Sequence, residues 1–124
     1  MTPQFANRLL VFLVSLLLLG TQMPGAWRAD VVESLHAPGV VSSVAHFVLF
    51  CAMALLACVR PLAWPWGRVL LLSLALALLT EGLQFLAIDR HPRWLDVGID
   101  MGGALLGIAL GGLSAGATWP KLRP

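Results

Sequence analysis

Five polar residues lie at the facing ends of two strongly apolar segments: Glu81, Gln84, Arg90, Asp96 and Asp100. An ionised side chain inside a bilayer is costly unless it is paired or hydrated, so such residues are rare in membrane segments and usually functional. Glu81 is the leading candidate, because at 1.5 Å per residue it is expected about 10 Å below the end of its helix. The pattern predicts a polar site near one membrane surface.

Several chemistries fit these residue types. His46 and Glu81 could form a general acid–base pair, and His46 with Asp96 and Asp100 could hold a divalent cation. The two aspartates, four residues apart, repel each other unless one is protonated, Arg90 or Arg93 bridges them or a cation binds. A structural ion-pair network at a helix N-terminus is the alternative.

None of these groups has a ligand spacing that is diagnostic alone, so no metal and no cofactor is assigned. The catalytic residues stay open, with Glu81 and His46 as candidates. Gln84 could simply hydrogen-bond across helices.

Composition and hydropathy indicate the class of protein. The chain has 124 residues, of which 59% are hydrophobic and 11% charged, whereas soluble domains carry about 25% charged residues. Four apolar runs predict transmembrane helices at approximately 6–23, 40–59, 69–88 and 96–117, and Leu-rich runs without two-residue alternation are helices rather than barrel strands. The prediction is an all-α integral membrane four-helix bundle, formed as one domain over residues 1–124.

The first run could also be read as a cleaved signal peptide. Cleavage after Ala26 would place Pro24 at the −3 position, which normally holds a small residue, so we expect the run to be retained as an anchor. The formal net charge of +2 and the lack of a basic run argue against nucleic-acid binding.

Lysine and arginine in the short loops predict the orientation. One side of the predicted bundle carries five basic residues and the other three; the five are Arg8, Arg60, Arg68, Lys121 and Arg123, and the three are Arg28, Arg90 and Arg93. The excess predicts that both termini are cytoplasmic. Because the second and fourth runs start, and the third ends, on the outer side, His46, Glu81 and Asp100 are expected at one depth there.

Glycines continue the acidic face of the fourth run. Asp96 and Asp100 are followed at helical spacing by Gly103, Gly107 and Gly111. Small residues at this spacing let another helix approach closely in a membrane. The stripe predicts a helix-packing surface.

The order of the polar residues and glycines resembles that of the VanZ-like membrane proteins. The residues that carry this resemblance are Glu81-x-x-Gln84, Arg90, Asp96, a polar residue at 100 and the glycines that follow it. His46-Phe47 and Phe50 are similar to that family's earlier His-Phe signature, so the resemblance runs from about Ser42 to Gly111. The chain departs from the family pattern in two respects. Ser42-Ser43 stands where an Asp-Lys pair is frequent, and Asp100 stands where Asn is common.

The resemblance implies a small protein of the bacterial cytoplasmic (inner) membrane with a role in the envelope, since the founding type is linked to teicoplanin resistance. It does not supply a reaction. The lipid bilayer is the expected surroundings of the chain. Three hypotheses about its function stay open. In the first, an outer-leaflet polar pocket binds a lipid-linked or amphipathic cell-wall molecule and affects glycopeptide susceptibility. In the second, the chain is a membrane enzyme that acts on a lipid headgroup through Glu81 and His46. In the third, it is a non-catalytic subunit whose glycine face binds a second copy or another membrane protein.

Overall fold

The computed structural model describes residues 1–23, 25–34, 41–86 and 93–114, apart from the side chains of residues 25, 28, 31 and 32. Five helices form this part of the chain: α1 (Pro3–Thr21), α2 (Gly25–Ser34), α3 (Val41–Cys58), α4 (Trp66–Gln84) and α5 (Trp94–Ser114). Four of them, α1, α3, α4 and α5, are long and apolar enough to cross a membrane. The predicted all-α bundle of four membrane helices is therefore confirmed.

The helix boundaries differ from the predicted ones by up to four residues. Helix α1 begins at Pro3 because Thr2 caps it, its side-chain oxygen accepting a hydrogen bond from the Phe5 N–H at 3.2 Å. Helix α4 runs over 66–84 rather than 69–88. Its last turn closes through bonds from the Phe85 and Leu86 N–H groups to carbonyls three residues earlier. Hydropathy marks the apolar stretch, whereas backbone hydrogen bonding decides where the helix ends.

Helix α2 lies between the first two predicted runs, 6–23 and 40–59, where no helix was predicted. It has 10 residues, which corresponds to about 15 Å of length and is half of what a bilayer core of about 30 Å requires. Its sequence also carries Asp30 and Glu33. Helix α2 is thus a helix of the connection between two spans and not a fifth span.

Helices α3 and α4 form the centre of the bundle, and α1 and α5 are the two outer long helices. Helix α3 contacts α1, α4 and α5, and α4 contacts the same two outer helices. The core between them is built mainly from Leu17, Phe50, Ala54, Ala77 and Ala104. The outward faces are rich in exposed leucines, such as Leu71 at 67% and Leu105 at 53% exposure. A surface of this kind suits lipid, where apolar side chains need no burial.

Helices α3 and α5 are parallel and closely packed through the glycine stripe. Gly103 faces the backbone carbonyl of Phe47, Gly107 faces that of Cys51, and a Cβ added at Gly111 would lie 2.7 Å from the Cβ of Cys58. Residue numbers rise together along both helices, which gives the parallel direction. The glycine face is therefore covered by α3 of the same chain, and a partner protein would have to bind another surface.

With four spans, the starts of α1 and α4 and the ends of α3 and α5 share one side of the bundle, called here the N-terminal side. The ends of α1 and α4 and the starts of α3 and α5 lie on the other side, called here the site side. Every described acidic residue belongs to the site side or to α2.

Candidate functional site

His46 and Asp100 form the centre of a polar cluster on the site side. The Nδ1 atom of His46 lies 3.0 Å from Oδ1 of Asp100, and the side chains are 14% and 0% exposed. At 1.5 Å per residue, His46 lies about 7.5 Å from the start of α3 and Asp100 about 9 Å from the start of α5. The parallel packing of α3 on α5 places both residues at the same depth.

Glu81 reaches the cluster from α4 and is buried, with 8% exposure. Since α4 ends at Gln84, Glu81 lies only about 4.5 Å from the helix end, and the expected depth of about 10 Å was wrong. Among the acids that the structure describes, Asp100 is the most enclosed, with 0% exposure. The earlier end of α4 explains the difference.

The Glu81 carboxylate joins α4 to α5. Its Oε2 atom accepts a hydrogen bond from the backbone N–H of Arg93 at 2.8 Å. Arg93 immediately precedes Trp94, the first residue of α5. The N–H groups at a helix N-terminus lack partners within the helix, and the helix dipole favours a negative charge there. Glu81 thus stabilises the start of α5.

Two carboxylate oxygens in this cluster have no protein partner in the described part of the chain. Glu81 Oε1 and Asp100 Oδ2 are both buried and accept no hydrogen bond from it. The Glu81 carboxylate also interacts electrostatically with Asp96, Asp100 and His46. Buried acceptors without a donor are costly. The cluster is therefore rich in acceptors and suited to a ligand that brings donors.

The remaining predicted site residues take different positions. Gln84 is buried at 5% exposure, one turn from Glu81 on the same face of α4, and Asp96 is half-buried in the first turn of α5. Arg90 lies outside the described residues, so its proposed role as an anchor for the acids stays a prediction.

Arg93 contributes through its backbone, which the sequence-based reasoning missed. Its side chain is exposed, and its N–H group makes the bond to Glu81. A backbone donor leaves no signature in residue type. The available signal was its position just before an apolar helix, where N–H groups are free to bind an acid.

The chemistry open to the cluster follows from its donors and acceptors. His46 and Asp100 would supply two ligands to a cation, but no group of three or more His, Cys, Asp or Glu side chains suited to a metal occurs in the described ranges. The carboxylates can accept hydrogen bonds, and the His46–Asp100 pair can hold a proton between its two groups. Binding of a donor-rich group and proton transfer both fit this geometry.

The fold and the cluster define a multi-pass membrane protein with a buried acid–histidine site at one end of a glycine-packed bundle. A family model described as VanZ/LLP1 matches residues 4–114. That range includes the four long helices, apart from Pro3 at the start of α1, and the whole cluster. The chain belongs to the VanZ-like family. Comparison with curated proteins and with solved structures finds no match.

Proposed function

We propose that the site binds the polar head of a lipid-linked or amphipathic molecule of the bacterial envelope, without chemical turnover. The observation that carries this proposal is the pair of buried oxygens, Glu81 Oε1 and Asp100 Oδ2, that lack a partner in the described chain. Such oxygens bind amine, amide or hydroxyl donors, and charge-assisted bonds to carboxylates are the stronger kind. A bare phosphate would be repelled by the same acids.

The surroundings of the cluster support an amphipathic ligand. Next to the site, Phe85, Leu86 and Leu95 are exposed at 75%, 78% and 61%. A molecule with an apolar tail could lie against these side chains while its head reaches the acids. A cell-wall precursor or a glycopeptide carries sugar hydroxyls and amide N–H groups of the required kind. An effect on glycopeptide susceptibility is part of this proposal.

The test is purification of the full chain from its native membrane in lipid nanodiscs, followed by mass spectrometry of the retained lipids. The variants Glu81→Gln and Asp100→Asn keep the side-chain shape but replace one acceptor oxygen by a donor. Matched controls are Glu33→Gln and Asp30→Asn, which change exposed acids of α2.

We expect wild type and controls to retain a lipid with a sugar- or amine-bearing head, and the two site variants to retain at least about tenfold less of it, the factor that corresponds to the loss of one charge-assisted hydrogen bond. An unchanged lipid profile in both site variants would refute the proposal.

One observation favours the enzymatic alternative. A carboxylate bound to one imidazole nitrogen orients the ring and leaves the other nitrogen for acid–base chemistry. Here the carboxylate bound to His46 is that of Asp100, at 3.0 Å. The sequence analysis had instead suggested Glu81 as the partner of His46 in a general acid–base pair. Incubation of the retained lipid with the protein should then change the mass of its headgroup. His46→Gln should stop that change while leaving binding, and an unchanged headgroup with wild type would exclude this alternative.

A further inference from the structure

A second feature lies on the N-terminal side, away from the acid–histidine cluster. A cavity of about 270 Å³ lies between three helices and opens to the surface of the bundle. Helix α1 contributes Leu10 and Val14, the last turns of α3 contribute Ala54 and Ala57, and α4 contributes Ser73. Apart from the Ser73 hydroxyl, these side chains are apolar. The cavity belongs to no part of the proposed site.

The walls of this cavity are suited to a hydrocarbon chain. The apolar lining offers a water molecule too few polar partners, since a well-held water needs two or more of them. An empty volume also deprives its lining of dispersion contacts. Leu72 lies at the cavity and is 46% exposed on the outer surface of α4. The cavity therefore reaches the surface of the bundle that faces lipid, where acyl chains are available to fill it.

A basic residue lies at the headgroup end of the cavity. Trp64 lines it, and its backbone N–H is bound to the Ala57 carbonyl at 2.8 Å. The Arg68 guanidinium carbon lies 4.6 Å from the centre of the Trp64 ring. Stacking on an aromatic face leaves the guanidinium N–H groups along the edge free to bind a phosphate. Arg68 is exposed, so a headgroup can reach it.

The charge of this side favours an anionic lipid. Arg8, Arg60 and Arg68 are exposed there, and the described residues of the N-terminal side include no aspartate or glutamate. Tryptophan and arginine near helix ends are the usual anchors at the level of the headgroups. We propose that the cavity binds an acyl chain of an anionic phospholipid, whose phosphate is held by Arg68.

The experiment uses the full chain, purified in mild detergent and exchanged into nanodiscs with equal amounts of phosphatidylglycerol and phosphatidylcholine. Native mass spectrometry counts each retained lipid. Arg68→Gln removes the phosphate contact, and Ser73→Phe fills the cavity. Arg8→Gln and Leu71→Phe are the matched controls. Neither control residue lines the cavity, and both are exposed, Leu71 by 67%.

Arg68→Gln should lower the preference for phosphatidylglycerol by about fivefold, the effect of one basic residue near an anionic surface. Ser73→Phe should lose retention of both lipids, and Leu71→Phe should behave as wild type. Arg8→Gln, which removes a charge of the same side away from the cavity, should lower the preference clearly less than Arg68→Gln does. A second measurement covers the case in which Ser73→Phe does not fold. Added phosphatidylglycerol should raise the melting temperature of wild type and Arg8→Gln, but not that of Arg68→Gln. Equal lipid preference in Arg68→Gln and wild type would overturn the proposal.

Discussion

The Nδ1 atom of His46 lies 3.0 Å from Oδ1 of Asp100, although 54 positions separate the two residues in sequence. Two parallel helices make this contact, and the glycines below Asp100 allow their close approach. The backbone carbonyl of Phe47, the residue after His46, faces Gly103, one turn after Asp100. The polar pair and the glycine packing are thus parts of one helix interface.

The His46–Asp100 pair should show measurable energetic coupling. We expect a double-mutant cycle with His46→Leu and Asp100→Leu to give about 0.6–1.7 kcal/mol, which spans the average and the maximum for hydrogen bonds between membrane helices. Unfolding in increasing denaturing detergent, followed by circular dichroism, measures the free energies. The cycle of His46 with Asp96→Leu is the control, because within the described part of the chain the ring bonds to Asp100 and not to Asp96, so Asp96 should couple more weakly. Equal coupling in the two cycles would show that the bond adds nothing.

Glycine substitutions on α5 should separate into two classes. A Cβ at Gly107 would lie 2.9 Å from both the Ala54 Cβ and the Leu55 nitrogen, whereas one at Gly98 would meet nothing within 4 Å. We expect Gly107→Ala to destabilise the bundle by about 1–3 kcal/mol through overpacking. Gly98→Ala should be neutral or stabilise it by up to about 1 kcal/mol through helix propensity.

The same detergent unfolding experiment compares the two glycine variants. Gly103→Ala should behave like Gly107→Ala, because its Cβ would meet the Phe47 carbonyl. If Gly98→Ala and Gly107→Ala were equally stable, α3 and α5 could not pack as described.

The bond from Arg93 to Glu81 predicts different effects of side-chain and backbone changes. Arg93→Ala keeps the N–H group that bonds Glu81 at 2.8 Å, so its stability should stay within about 0.5 kcal/mol of wild type, as for most surface changes. Glu81→Leu removes the acceptor and should cost about 1–3 kcal/mol. Thermal unfolding in detergent checks both variants, and a large loss in Arg93→Ala would instead assign the contact to the guanidinium.

Arg90→Ala should be more harmful than Arg93→Ala in expression and thermal stability. Arg90 is the arginine of the family pattern, and a guanidinium can hold two carboxylates at once. Removing it would leave buried acid without a cation, which is strongly destabilising. Wild-type behaviour of both variants would show that neither arginine neutralises the acids.

The orientation in the membrane follows from the basic residues and stays a prediction. A reporter that is active in the cytoplasm should work when fused after Pro124, because the side with five basic residues is expected to face the cytoplasm. A reporter that needs the periplasm should be silent at the same position. The reverse pattern would invert the bundle, and the acid–histidine site would then face the cytoplasm.

The amino-acid sequence by itself determined the class of protein, the membrane-spanning segments and the residues of the candidate site. Apolar runs such as 40–59 are long enough to cross a bilayer, and a helix is the structure that satisfies the backbone of such a run in lipid. The spacing of Gly103, Gly107 and Gly111 places them on one face because residues three and four apart are neighbours on a helix. These properties are local, so they can be read from a single segment.

Only the tertiary structure decided which groups meet. Asp100 bonds to His46, Glu81 bonds to the backbone of Arg93, and the glycine face packs on α3 rather than on another protein. Each of these contacts depends on how helices are rotated and staggered against one another. Lipid accepts any apolar face equally well, so hydropathy cannot specify that rotation. Close packing at the glycines specifies it, and the positions of the buried acids follow from that packing.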